Sequence, residues 1–377
     1  MVNVLILGSK EYPFGINEGD DPFPSGGMET YVDDLVSGLS KLCSITVITR
    51  KFSGTPSYEK SGNVEVYRVP WMSGKWLRNI SFNFFSFLKG ISVAWKSDII
   101  YSNGIVSGLV GLVLGKIARR KTVFRPAGIA FIQQKAPLRS MLFALERALM
   151  KKSDVVLFHS DGEMKNAKEH FNIRLGNGRV ILTGFDVGKF AGNRRNLRRE
   201  LGLRNETVIT SVSRLVPVKG IDYLIKACSG LRKGYHLLIV GSGPEESKLR
   251  LLVNDLGMDT RVTFAGFRRD IPEIMSTTDI FVVSSLSEGL PTSLLEAMAA
   301  GAACVVTDIG LPVKHMETGM VVSPGNEMAL RNDIEALMEN IILRKKIGEN
   351  AAGFTRKNCT QKGAADAHMK LFTDMLS

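Results

Sequence analysis

A chain of 377 residues is too long for one ordinary hydrophobic core, so two domains are expected. With 44% hydrophobic and 23% charged residues it has the composition of a globular protein, and no uninterrupted apolar stretch reaches the roughly 18 residues of a membrane span. The net charge of +12 suits nucleic acid, anionic lipid or phosphorylated small molecules, while Cys43, Cys228, Cys304 and Cys359 match no metal or redox spacing and read as reduced, buried thiols.

The N-terminal run Met1 to Gly8 has no basic lead and reads as a first strand rather than a signal peptide. Strand patterns follow at Val2–Leu7, Ile45–Thr49, Val64–Val69, Asp98–Tyr101, Thr122–Arg125 and Val155–Phe158. Helical spacing marks Met28–Leu42, Ile105–Ala118, Pro137–Lys151 and Gly162–His170. The scheme repeats, with strands at Val208–Ser213, His236–Val240, Arg261–Phe264, Ile280–Val283 and Ala303–Val306. Its helices are at Gly220–Cys228, Glu245–Leu256, Ile271–Ser276 and Thr292–Ala300. Short β-branched runs alternating with longer helices predict an α/β protein of two doubly wound, Rossmann-like domains. A polar, aperiodic stretch from Asp186 to Arg199, including Gly192, Asn193, Arg194, Arg195 and Asn196, is the expected linker. The predicted boundaries are 1–190, 191–355, and a C-terminal helix at 356–377 packing back on the first domain. Ligands of open α/β sheets bind beyond the carboxyl ends of the strands, so a cleft between the two domains is the expected site.

Three segments of the second half carry chemistry. After the strand ending at Ser213 come Arg214 and Lys219, ahead of a helix. Cations at a strand's carboxyl end can neutralise a diphosphate and stabilise it as a leaving group; a solvated basic loop is the alternative. Gly241-Ser-Gly-Pro-Glu245 is a tight strand-to-helix turn, without the third glycine or the acidic residue of a dinucleotide fingerprint. A structural turn is the preferred reading of it. In Ser284 to Gly301 a buried strand leads through Gly289-Leu290-Pro291 into a helix. Pro291 is expected in the first turn, with Thr292 or Ser293 capping. Such a helix start is a natural diphosphate site. Glu288 before it and Glu296 within it fit ligand hydroxyls, since ionised carboxylates only accept; for Glu296, merely complementing the helix dipole is the alternative.

Taken in order, Arg214-x4-Lys219-Gly220, Gly241-x-Gly-Pro-Glu245, Phe264-x-Gly266 and Glu288-Gly-Leu-Pro-x4-Glu296 resemble the donor half of the retaining glycosyltransferases of family 4 (glycosyl transferases group 1), which have the GT-B fold. Gly26-Gly27-Met28-Glu29 and Val180 to Phe190 resemble that family's other landmarks, so the likeness spans nearly the whole chain. The resemblance implies a nucleotide-sugar-dependent hexosyltransferase acting without metal or other cofactor on a UDP- or GDP-type donor. Arg214, Lys219 and Glu288 would be its catalytic residues. Arg214 and Lys219 would bind the diphosphate, and Glu296 the ribose. Glu288 would face the sugar beside the amides of Gly289, Leu290 and Thr292. Gly26 and Gly27 would let a loop of the first domain approach the phosphates, and Gly266 and Phe267 would lie beside the base. The chain departs from the family at Ala127, where many members carry histidine, at Ser102-Asn103, where a His-x-His-like segment is missing, and at Gly310-Leu311 in place of paired glycines.

On the acceptor side, Trp71 to Ser97 holds all three tryptophans (Trp71, Trp76, Trp95) with Phe82, Phe84, Phe85 and Phe87. It also holds Lys75, Arg78, Lys89 and Lys96 and no acidic residue. Two readings stand: a membrane-interface segment that docks on anionic lipid and brings in a lipid-linked acceptor, or aromatics that fill the core beside solvated cations. The expected location is cytoplasmic, on the first reading at the cytoplasmic face of a membrane. Scattered cations and the absence of a recognised motif argue against nucleic acid. The rival functions are a nucleotide-sugar epimerase that hydrolyses its donor and a non-catalytic nucleotide-sugar-binding scaffold.

Overall fold

A computed structural model describes residues 1–13, 16, 26–74, 77–126, 138–190, 197–203 and 205–377. The chain forms two compact units, one of Met1–Phe185 with Gln361–Ser377 and one of Asp186–Thr360. In the first unit the elements run β1 (Asn3–Leu7), α1 (Gly27–Leu39), β2 (Ser44–Arg50), β3 (Tyr58–Ser61), β4 (Val64–Val69), α2 (Leu77–Ala94), β5 (Ile99–Asn103), α3 (Ile105–Ala118), β6 (Lys121–Arg125), α4 (Leu138–Lys152), β7 (Val155–Phe158), α5 (Asp161–Phe171) and β8 (Gly178–Val180). The second unit contains β9 (Thr207–Val212), α6 (Ile221–Ser229), β10 (Tyr235–Val240), α7 (Glu246–Asp255), β11 (Val262–Gly266), α8 (Ile271–Thr277), β12 (Ile280–Val283), α9 (Thr292–Ala300), β13 (Ala303–Thr307), β14 (Met320–Val322), α10 (Glu327–Glu339) and α11 (Ile341–Asn358). The last helix, α12 (Gln361–Leu376), returns to the first unit, where Ala365 and Phe372 join the core under α1.

The first sheet has the order β3-β4-β2-β1-β5-β6-β7-β8, parallel except for the β3–β4 pair. The second, β11-β10-β9-β12-β13-β14, is wholly parallel. Both carry the doubly wound order, which reverses direction at one crossing: β1/β5 in the first sheet and β9/β12 in the second. Central strands such as Ile280–Val283 are buried throughout, as helices on both faces require.

The compact units part at Phe185/Asp186 and Thr360/Gln361, within about five residues of the expected 190/191 and 355/356. α11 runs unbroken through 355, and the Gln361 N–H returns to the Phe185 carbonyl at 3.2 Å. Of the expected linker, Gly192, Asn193, Arg194, Arg195 and Asn196 lie outside the described residues, and Val187–Lys189 is a short 3-10 turn. Three edge strands lie outside the strands expected from the sequence. β3 is exposed at every residue, and β8 and β14 have three residues each.

Helix α2 puts Phe82, Val93 and Ala94 into the core but also carries polar and small residues on its inner side and apolar ones on its outer side. Ser81, Asn83, Ser86 and Gly90 face inward, while Leu77, Ile80, Phe84, Leu88, Ile91 and Trp95 face out. Inside, the Ser107 hydroxyl of α3 donates to Asn83 Oδ1 at 3.0 Å. α3 in turn lies close on the sheet through small residues: a Cβ at Gly111 would stand 1.9 Å from Ser102 Oγ. Its outer side exposes Val106, Leu109, Val113 and Ile117. Of the aromatics in this segment, Phe82 is buried, whereas Phe84 and Trp95 are exposed. Lys75 and Trp76 lie outside the described residues.

Candidate functional site

The crossing point of the second sheet gathers the singled-out residues. β9 ends at Val212, and the chain passes through exposed Arg214 into a 3-10 turn, Pro217–Lys219, before α6 begins. Gly220 joins turn to helix at φ 60°, where a Cβ would lie 2.3 Å from the Ser284 carbonyl. That close approach presses the loop after β9 against the loop after β12. The Leu286 N–H donates to the Val218 carbonyl at 2.7 Å, and the Ser284 hydroxyl to the Lys219 carbonyl at 2.9 Å.

The same contact brings Lys219 and Glu288 together as an ion pair, each side chain only 17% exposed. Glu288 Oε2 also accepts the Ser285 hydroxyl at 2.8 Å, while the Ser285 carbonyl accepts Thr307 Oγ1 at 2.6 Å. Sequence reasoning places Lys219 and Glu288 in one site but not in one bond, and it misses Ser285. A hydroxyl directly after a buried strand and three residues before an acid was the available signal.

Pro291 stands at the N-cap of α9 rather than in its first turn, and no side chain caps the helix. Ser293, an expected cap, instead donates its hydroxyl to the Val212 carbonyl at 3.0 Å, because α9 starts against the end of β9. Glu296 is half-buried one turn beyond Ser293, on the same helix face. Thr292 is the first helical residue, Leu290 is buried, and Gly289 is half-buried between them and Glu288. The helix start thus presents N–H groups and a partial positive charge beside the Lys219–Glu288 pair.

The turn Gly241 to Glu245 is a structural support. Gly241, at φ 126°, would drive a Cβ to 1.9 Å from the Ser213 carbonyl, and Gly243 to 2.3 Å from that of Leu215. Leu215 and Ser242 are joined by an N–H to carbonyl bond of 3.0 Å, which holds the Arg214 loop in place. Gly266 ends β11 at φ 65° with open space around it, followed by exposed Phe267 and by Arg268, whose Nε meets Asp270 at 2.7 Å. Gly310, at φ 84°, follows the buried Ile309.

Gly26 and Gly27 belong to the first unit. Gly26 caps α1 with extended backbone, its N–H donating to Glu29 Oε2 at 2.9 Å, and a Cβ there would meet nothing within 4 Å. Ala127 lies outside the described residues. Beside it, Arg125 is buried in a network that distance in sequence concealed. Its guanidinium carbon lies 4.0 Å from the Tyr31 ring centre and its Nε meets His159 Nε2. Tyr31 and Tyr101 share a hydroxyl bond of 2.6 Å. Burial, then the Arg125 charge, holds the His159 imidazole well below the usual range.

Comparison with known proteins matches both halves of the chain. The family described as Glycosyl transferases group 1 matches residues 193–354, and that described as Glycosyltransferase Family 4 matches residues 25–189. The UDP-Gal:alpha-D-GlcNAc-diphosphoundecaprenol alpha-1,3-galactosyltransferase of Escherichia coli is 27% identical over 285 residues, 71% of this chain and 70% of that protein. Among solved structures, HepE of Anabaena in complex with UDP and glucose superposes with a TM-score of 0.80 at 22% identity, covering 99% of this chain and 100% of HepE. Sucrose-phosphate synthase of Thermosynechococcus elongatus gives a TM-score of 0.84 at 21% identity, covering 100% of this chain and 99% of its own. The last two establish the fold.

Proposed function

Because this chain belongs to the group 1 glycosyltransferases of GT-B fold, we propose that it transfers a hexose, with retention of configuration, from a UDP- or GDP-sugar to a glycan or lipid-linked acceptor. The observation that carries this reading is the meeting of Lys219, Glu288 and the uncapped start of α9 where the strand order of the second sheet reverses.

Lys219 and Arg214, with the α9 N–H groups, take the charge that grows on the leaving diphosphate. Glu296 accepts from the ribose hydroxyls and Glu288 from those of the sugar. Gly266 and Phe267 line the base. As the bond from the anomeric carbon to the diphosphate oxygen breaks, the acceptor oxygen bonds that carbon from the same face. The acceptor's proton passes to the departing diphosphate oxygen. No step needs a metal ion.

The relative that acts on a diphosphoundecaprenol-linked sugar supports a lipid-linked acceptor. The first unit supports a membrane contact to match. The apolar outer sides of α2 and α3, flanked by exposed Lys96, Lys116, Arg119 and Lys121, suit the interface of an anionic bilayer. Among the described residues no helix is long and apolar enough to cross one. The test is incubation with UDP- and GDP-hexoses and polyprenyl-diphosphate-linked sugars, with product configuration read by NMR. Sugar released freely, without transfer to any acceptor, contradicts the reading.

A further inference from the structure

Arg125 ends β6 and is 8% exposed. Val123, two residues back, lies in the core under α1 and α12, and alternation along the strand turns Arg125 to the same face. There it is held by the Tyr31 ring and by His159, while its Nη1 has no hydrogen-bond partner among the described residues. Glu163, a carboxylate that feels its charge, instead accepts the His159 N–H at 2.7 Å.

Asn103 is the register partner of Arg125 on β5, and Tyr101 two residues back places it on the same face. Its Nδ2 donates to the Leu7 carbonyl at 3.1 Å, which turns Oδ1 away from that bond. Oδ1 is buried and also unpartnered. An orphaned cationic donor and an orphaned acceptor therefore stand on neighbouring strands and do not bond each other. Leu7 ends β1, so the pair sits at the β1/β5 crossing, where sheets of this order take ligands.

We propose that Arg125 and Asn103 form a second oxyanion subsite, in the first unit, for a phosphate group of the acceptor. Arg125 donates to the phosphate and Asn103 accepts from a hydroxyl beside it, so the fitting ligand is a phosphate ester of a sugar or polyol. The planar guanidinium is required, because Tyr31 stacks on it and His159 holds Nε while Nη1 stays available. This rests on the glycosyltransferase reading, in which a phosphate-bearing acceptor is engaged by the first unit.

The test uses the full chain carrying Lys219→Ala, which removes the diphosphate site of the second unit. Titration with pyrophosphate, inorganic phosphate and glucose 1-phosphate is expected to show one remaining site. Adding Arg125→Gln abolishes it, and Arg125→Lys weakens it about tenfold. Asn103→Ala lowers affinity for glucose 1-phosphate but not for inorganic phosphate. Arg125→Gln in the otherwise native chain leaves UDP binding intact. Absence of any phosphate-class site in the Lys219→Ala protein overturns the proposal without requiring an Arg125 variant to fold. So does equal binding with and without Arg125→Gln. UDP binding that survives Lys219→Ala contradicts the donor-site reading instead, and the Arg125→Gln comparison still decides this one.

Discussion

Lys219 and Glu288, 69 residues apart in sequence, form an ion pair that ties the turn after β9 to the loop after β12. On the proposed reading, a diphosphate at α9 competes for the lysine and leaves the glutamate to accept from the donor sugar. Glu288→Gln is therefore expected to keep nucleotide binding within about threefold while lowering turnover by roughly two orders of magnitude. Parallel measurement of UDP or GDP affinity and of transfer rate checks this. Equal losses in both would place Glu288 in binding rather than in the chemical step.

Two glycines with left-handed backbone should behave differently. Gly241→Ala forces a Cβ against the Ser213 carbonyl, and neither backbone can yield without breaking the loop that carries Arg214. The expected outcome is loss of cooperative unfolding of the second unit, or failure to accumulate folded protein. Gly266→Ala meets only open space, so its cost is the backbone strain alone, about 1–2 kcal/mol. Chemical denaturation of the two variants separates a steric requirement from a conformational one.

The first unit carries a pH dependence. Burial, and then repulsion by Glu163, pushes the Glu146 carboxyl up to about 8 from its ordinary 4.5. Burial pulls His368 down to about 4 from 6.5. Between 4.5 and 6.5 the two oppose: the unfolded chain has lost the glutamate proton and still holds the histidine proton. From about pH 6.5 to 8 the histidine difference has vanished, while the folded protein keeps a Glu146 proton that the unfolded chain lacks. Stability then falls as pH rises, by about 1.4 kcal/mol per unit for one group. Glu146→Gln should flatten that fall, melting above the parent at pH 8.5 and close to it at pH 5. A parent with no loss of stability across this window contradicts the assignment.

The doubly wound fold was legible because buried parallel strands read as apolar runs, and the nearness of Lys219 to Glu288 was legible because both follow strand ends. What was not legible depends on three-dimensional pairing. β3 hides because its residues are all exposed. Which side of α2 faces inward is invisible where phenylalanines occupy most sides of a helix and only packing against α3 selects the inner one. Tyr31, Tyr101, Arg125 and His159 come from four separate segments, so no spacing announces their network. Ser293 suits a cap by sequence, yet the end of β9 takes its hydroxyl.

The outer sides of α2 and α3 make a further prediction. Phe84, 56% exposed, and Trp95 are expected to enter the interface of an anionic bilayer. Lys96→Glu with Lys116→Glu, or Phe84→Ser with Trp95→Ser, should each reduce co-flotation with phosphatidylglycerol-containing liposomes. Neutral liposomes should recruit the parent weakly. A parent protein that floats with neither composition removes the membrane contact.

The donor-site assignment is tested most directly by nucleotide-sugar binding to the parent, Lys219→Ala and Glu296→Ala proteins, read as thermal stabilisation across a panel of UDP- and GDP-sugars. A ligand at a hundredfold excess over its Kd should stabilise the parent by about 2.7 kcal/mol. Both variants should lose that stabilisation while melting near the ligand-free parent. Full stabilisation retained in both variants would contradict the placement of the donor at Lys219, Glu288 and Glu296.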